Sequence, residues 1–155
     1  MQRMTRLIRI LPCGALKIAL AAGLVFASGQ TAAQNPTANS VEGLWLTDDQ
    51  SGAVRISACG AKMCGYIARV LDRRPGVPAT DINNPDPDLR TRPLVGLRTL
   101  WGFTRQGSAW RGGEAYDPKS GRSYRATLEP KADGSLKVTG CVLFVCESRR
   151  WTRET

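Results

Sequence analysis

Four cysteines stand in two identically spaced pairs, Cys59 with Cys64 and Cys141 with Cys146, and the chain holds no histidine. Thiols so arranged either close disulfides or hold a metal. Structural zinc knuckles usually leave about two residues between paired cysteines, and many recruit histidine. Four residues separate each pair here, so disulfides are expected and no metal site is assigned. A short hairpin would set Cys59 opposite Cys64 and Cys141 opposite Cys146, at a Cα separation that a disulfide accepts. Four cysteines also permit two crossed pairings, which the sequence leaves open.

The remaining reactive groups offer little catalysis. Without histidine the usual base of a serine or cysteine triad is missing, and no Gly-x-Ser-x-Gly elbow occurs. Asp81, Asp86, Asp88 and Glu114 are the candidate acid–base carboxylates, read as solvated turn acids because nothing brings two of them together. The run Asp81-Ile82-Asn83-Asn84-Pro85-Asp86-Pro87-Asp88 fails as a calcium loop. Pro85 takes its fifth position, Asp86 the glycine position and Arg92 the place of the bidentate glutamate. Neither an enzyme nor a cofactor is expected.

This acidic run lies in a connection, residues 72–93, with five prolines. So long a connection in a compact domain is either functional or disordered. Proline stiffness favours order, with the segment lying across the domain. Residues 81–93 are expected to form a lid in which Asp81, Asn83 and Asn84 bond nearby backbone. Arg90 and Arg92 would pair with Asp86 or Asp88, or present an anion site.

The elements that position these residues begin after a leader. Arg3, Arg6, Arg9 and Lys17 precede or flank an apolar run from Ile18 to Phe26, and Thr31-Ala32-Ala33 supplies small residues for cleavage. This describes a signal peptide over 1–33. The run is too short for a bilayer span, which takes roughly 20 apolar residues. Cys13 follows Pro12, which does not suit a lipoprotein box. Residues 34–40 read as a flexible lead-in and 41–155 as one domain, in the periplasm or secreted. Removing the leader's four cations lowers the formal charge from +9 to +5. That charge is scattered, with no like-charge run beyond pairs such as Arg73-Arg74, so nucleic acid is not an expected partner. Export also favours disulfides over free thiols.

From Val41 onward the chain alternates short strand patterns with turn signals. Strands are predicted at 41–47, 53–59, 64–71, 94–104, 109–116, 122–128, 135–141 and 146–153. Tyr124, Ala126 and Leu128 share one face of their strand, while Leu136 and Val138 share one face of the next. Asp117-Pro118-Lys119-Ser120-Gly121 and Lys131-Ala132-Asp133-Gly134 supply turns. The fold class is therefore all-β, a small antiparallel barrel of about eight strands with one long Pro-rich loop. Val142-Leu143-Phe144-Val145 is expected to fold inward and plug one end.

Gly43-Leu44-Trp45 at the start and Trp151-Thr152-Arg153 at the end resemble the lipocalin-like pattern, in which a last-strand arginine packs over the first-strand tryptophan. Further motifs are Cys64-Gly65-Tyr66-Ile67, Asp81 to Asn84, Arg92-Pro93-Leu94-Val95-Gly96-Leu97, and Gly113 with Tyr116-Asp117-Pro118. Gly121 with Tyr124 and Gly140-Cys141 complete the set. In this order the motifs resemble a bacterial exported family catalogued as domain of unknown function 2147, from about Val41 to Arg153. The resemblance implies an exported β-rich domain and supplies no activity, catalytic residue or ligand. The expected function is binding of a small apolar ligand or envelope component, by a monomer. The alternative is a non-enzymatic module that contacts an envelope protein through the 72–93 loop or the Val142–Val145 tip. Candidate binding residues are Trp45, Asp81, Asn84, Arg90, Arg92 and Trp101.

Overall fold

The computed structural model describes residues 40–154. The expected leader, and the lead-in as far as residue 39, lie outside the described residues. The strands are β1 (Gly43–Leu46), β2 (Gly52–Cys59), β3 (Lys62–Val70), β4 (Arg98–Gln106), β5 (Ala109–Asp117), β6 (Arg122–Pro130), β7 (Leu136–Val142) and β8 (Val145–Arg153). They pair in chain order, all antiparallel, and β1 closes on β8 to complete an eight-strand barrel. This order puts the β1–β2, β3–β4, β5–β6 and β7–β8 connections at one end. The start of β1 and the end of β8 lie at the other.

Side-chain alternation fills the inside. Trp45, Ile56, Leu100, Phe103, Leu128 and Leu136 are the large, fully buried core side chains, with Val54, Met63 and Val138 among them. Burying such side chains contributes about 1.5–3 kcal/mol each. A second cluster, Ile67, Leu97 and Tyr116 backed by Leu94 and Trp101, sits near the connection end.

The closing seam is short: Trp45 pairs with Arg153 and Leu46 with Thr152. Side chains reinforce it. The Arg153 guanidinium lies 4.2 Å from the Trp45 ring centroid, and its Nη1 and Nη2 donate to the carbonyls of Glu42 (2.8 Å) and Ser40 (2.5 Å). Trp45 Nε1 donates to Val41 O at 2.8 Å. Gly43 has φ 143°, and a Cβ there would collide with the Arg153 guanidinium. The Gly-x-Trp spacing thus leaves room for the arginine and places the ring beneath it.

Three expectations need correction. Strand β4 starts at Arg98, because Gly96 at φ 86° and a Leu97 N to Leu94 O bond make residues 94–97 a turn. Cys59 and Cys64 do form a disulfide with Cα atoms 5.8 Å apart, but they are not opposed. Cys59 faces Lys62 and Cys64 faces Ser57, so the bond runs diagonally across a two-residue turn. Cys141 and Cys146 are directly opposed and bonded, with Cα atoms 4.1 Å apart. Finally, Val142–Val145 does not plug the barrel. Leu143 and Phe144 are 87% and 96% exposed, because β8 leaves its β1 partner above Thr152 and the hairpin tip has nothing to pack on.

Two outcomes are expected. Trp45→Ala should cost about 3–5 kcal/mol and Arg153→Ala about 0.5–2 kcal/mol. In denaturant unfolding the double mutant should lose less than the sum, and strictly additive losses would mean that the pair is not coupled. Non-reduced peptide mapping should recover Cys59–Cys64 and Cys141–Cys146. Reducing either should lower stability by about 2 kcal/mol on the loop-entropy scale.

Candidate functional site

The connection between β3 and β4 is built around one buried carboxylate. A bridge between Thr80 and Pro93, with Asp81 N bonded to Arg92 O at 3.0 Å, brings the two ends of the 81–92 segment together. Inside it, Asn84 N bonds Asp81 O (2.9 Å) and Asn84 Oδ1 accepts from Asp86 N (2.9 Å). Asp86 then caps the short 3-10 helix Pro87–Leu89 by accepting from Asp88 N. This is how Asp, Asn and Pro, as turn-forming residues, order a long segment.

Asp81 is fully buried. Its Oδ1 accepts from Tyr116 Oη at 2.7 Å. Its Oδ2 accepts from Asn84 Nδ2 (2.7 Å), Arg92 Nε (2.9 Å) and Arg92 Nη2 (2.8 Å). A buried charge persists only when paired and hydrogen-bonded in this way. Burial together with the bond to Asp81 pushes the Tyr116 phenol above its ordinary value. Asn83 Nδ2 donates to the carbonyls of Pro118 (3.3 Å) and Lys119 (3.0 Å). A Cβ at Gly121 would collide with Asn83 O, so glycine lets the β5–β6 turn approach the loop. A third connection joins in, because Lys119 Nζ pairs with Asp49 and bonds Ser51 Oγ (2.7 Å) in the β1–β2 turn. Burial raises the Asp49 carboxyl, but hydrogen bonds from Lys119, Thr47 and Ser51 outweigh it and hold the group well below the usual range.

Against this segment lies a cleft of about 580 Å³, lined in part by Asn84, Arg92, Arg98, Trp101, Tyr116 and Ser123. Trp101 opposes Glu114 and Tyr116 opposes Ser123, while the intervening Ala115 packs on the core. Alternation therefore puts Trp101, Tyr116 and Ser123 on the outer face of the sheet. Residues Asn84 and Arg92 of the loop thus border a cleft on the outer rim of β4–β6. Arg98 stands 5.8 Å from the Trp101 ring centroid and Arg92 5.8 Å from that of Tyr116. Arg92 is neutralised by Asp81. Arg98 has neither an ion pair nor a side-chain hydrogen bond among the described residues.

The structure gathers Asp81, Asn84, Arg92 and Trp101 around one site, with Arg90 behind it donating Nε to Asn84 O at 2.8 Å. Trp45 lies apart, in the core at the terminal end. Two expectations are overturned. Asp81 is not a solvated turn acid, and Arg92 pairs with Asp81 and not with Asp86 or Asp88, which stay exposed. Sequence reasoning missed Tyr116 and Arg98 as site residues. The available signals were Tyr116 at a strand end before Asp-Pro, and Arg98 three residues before Trp101.

Comparison with known proteins places this architecture. A family described as uncharacterized protein conserved in bacteria (DUF2147) matches residues 43–153. A Helicobacter pylori protein of solved structure, described as belonging to the lipocalin family, superposes with a TM-score of 0.66 at 23% sequence identity. The match covers 75% of this chain and 84% of that one. At that identity the likeness is one of fold. No curated protein matches the sequence.

The Asp81 network sets two expectations. Asp81→Ala strands the Arg92 cation and the Tyr116 hydroxyl, and should cost about 3–5 kcal/mol. It should also open the Arg90–Thr91 bond to trypsin while the barrel stays intact; unchanged stability and proteolysis would remove the anchor role. The raised Tyr116 value means that the folded state holds the phenol proton more tightly than the unfolded chain does. Stability should therefore be lost as pH rises past about 10, and Tyr116→Phe should remove that part of the pH dependence.

Proposed function

The chain belongs to the DUF2147 family of bacterial proteins, and we propose that it is an exported, non-catalytic binding protein for a small organic acid with a flat apolar body. The cleft of about 580 Å³ carries this reading. Its size is in the range of small-molecule sites, roughly 300–1,000 Å³. Trp101 and Tyr116 offer ring surface to an apolar body. Arg98, uncompensated beside Trp101, offers a fork to a carboxylate, sulfonate or phosphate. Asn84 and Ser123 add polar contacts at the edge. The reading moves the ligand from the barrel axis, where Trp45, Phe103 and Leu128 fill the terminal half, to the outer rim.

Export and a periplasmic or extracellular home belong to the same proposal. The cationic leader and the two disulfides support them. The anchored loop fits a binding role too, since a site ordered before the ligand arrives loses less entropy on binding.

The test is fluorescence titration with anilinonaphthalene sulfonate, an apolar aromatic acid, followed by competition with simple aromatic carboxylates. Arg98 and Trp101 lie outside the Asp81 network, so Arg98→Gln should fold normally, and Trp101→Ala should fold with some loss of stability because its ring backs the Leu97 cluster. Arg98→Gln should weaken binding by roughly ten- to a hundredfold, the worth of a charge-assisted hydrogen bond, and Trp101→Ala should weaken it through loss of the ring contact. Undiminished binding in both variants, or loss of binding on Phe144→Ser instead, would place the probe elsewhere and defeat the assignment.

A further inference from the structure

The two disulfides share a spacing and differ in their surroundings. Each spans a two-residue turn, Gly60-Ala61 or Leu143-Phe144, as the flanking pairs show. Cys64 is 4% exposed and has neighbours on both sides. Ser57 of β2 opposes it, while Met63 and Gly65 beside it pair with Phe103 and Leu100 of β4. Cys146 is exposed and sits on an open edge. Cys141 of β7 lies along one side, but β1 reaches β8 only at Thr152 and Arg153. Among the described residues no strand flanks Cys146 on its other side. The turns differ too. Each puts its first residue in the left-handed region, Gly60 at φ 67° and Leu143 at φ 53°. Glycine adopts this conformation without penalty, whereas leucine is disfavoured there. Leu143 and Phe144 are almost fully exposed, so no packing offsets the disfavoured backbone. Third-strand support is missing as well, because β6 pairs with β7 only as far as Cys141. Beyond the disulfide a single strand pair, Val142 with Val145, carries the turn.

A thiolate exchanges with a disulfide only if it can reach one of the two sulfurs, so exposed disulfides are the labile ones. We propose that Cys141–Cys146 is a thiol–disulfide exchange site for a dithiol, and that this bond is the latch that holds the Leu143-Phe144 turn. One thiolate of the dithiol attacks Cys146 Sγ. The bond to Cys141 Sγ breaks, and its electron pair leaves with Cys141 as a thiolate that takes a proton from water. The second thiol of the dithiol, once deprotonated, attacks its own partner sulfur in the mixed disulfide and releases Cys146 as the second thiolate. The protein gains two electrons as two thiols, and the dithiol becomes a disulfide. Exposure selects Cys146 as the sulfur attacked. Charge does not, because Arg125 opposes Cys141 and Glu114 in turn opposes Arg125, which sets a cation and an anion in one row. After opening, the pair Val142 and Val145 must hold a disfavoured turn alone. The tip therefore comes loose as far as the Cys141 row, where β6 still supports β7, and its four apolar side chains lose their fixed presentation. Cys59–Cys64 is the internal control. Its buried sulfur resists attack, and its glycine turn needs no latch.

The experiment is reduction of the folded full chain, without denaturant and with Cys13→Ser to remove the fifth thiol, followed by timed alkylation and peptide mapping. Dithiothreitol tests a small dithiol and reduced thioredoxin a protein-borne one; preference of either for Cys141–Cys146 sustains the proposal. That bond should open at least tenfold faster than Cys59–Cys64. Glutathione, a monothiol, should leave its adduct on Cys146. Hydrogen exchange should then quicken over residues 142–147 and stay unchanged in the rest of the barrel. The Cys141→Ser/Cys146→Ser variant should keep the barrel and show the same fast exchange at the tip with no dithiol present. Equal opening rates for the two disulfides with both dithiols, or opening of Cys141–Cys146 only as fast as the whole chain unfolds, would overturn the exchange site. A tip that exchanges as slowly in the double serine variant as in wild type would overturn the latch.

Discussion

The barrel closes through only two residue pairs of its first and last strands. Two backbone pairs are a thin seam for a sheet whose other junctions mostly run to six or more. Arg153 supplies the missing strength by acting in three directions: over the Trp45 ring, and to the carbonyls of Ser40 and Glu42. Arginine suits this because its guanidinium is planar, stacks on aromatic faces and presents several donors in a fixed fork. Lysine would keep the charge and lose both the stacking and the fork. Desolvation of the guanidinium, which pulls its pKa down, is the cost of the arrangement. Contact with the buried indole offsets it.

A short seam at the terminal end leaves the opposite end free to differ from a simple barrel. Because β1 stops at Leu46, β8 and its partner β7 extend without a neighbour on one side, and the apolar tip stands clear. The long β3–β4 connection solves a different problem. It has only a single short 3-10 helix and no core of its own, so it borrows a donor from β5 by burying Asp81 beneath Tyr116. Such a carboxylate is tolerated only because four donors reach it; removing any one leaves a group that water no longer satisfies. The network gives specificity of conformation more than net stability, which is what a segment that edges a binding cleft needs.

Much of the fold was legible because it rests on local pattern. The alternation of Tyr124, Ala126 and Leu128, and of Leu136 and Val138, reports directly which face is covered. The cysteine pairs report hairpins. Trp45 and Arg153 sit at the chain's two ends, and barrel closure alone brings them together. The misreadings concern residues whose surroundings come from far along the chain. Asp81 looks like a turn acid because its partner Tyr116 lies 35 positions away. Arg92 has two acids close by in sequence, and it takes the one whose buried carboxylate most needs a cation. For Val142–Val145, the preference of apolar side chains for burial is sound on average. It failed because β8 runs past the end of β1, which strand patterns do not reveal.

The positive charge, too, acquires meaning only residue by residue. Much of it is locally matched: Arg69 to Glu154, Arg74 to Asp72, Arg92 to Asp81, Arg149 to Asp48 and Glu147, and Arg150 to Asp133. Exposed pairs of this kind add little stability, about 0–1 kcal/mol each, but they cancel the field that a basic chain would otherwise present. Local matching, more than the total, decides what the surface attracts. Arg98 escapes matching beside an aromatic cleft. Uncompensated guanidinium next to apolar surface suits an amphiphilic anion better than a polyanion. A small organic acid meets that requirement at the cleft.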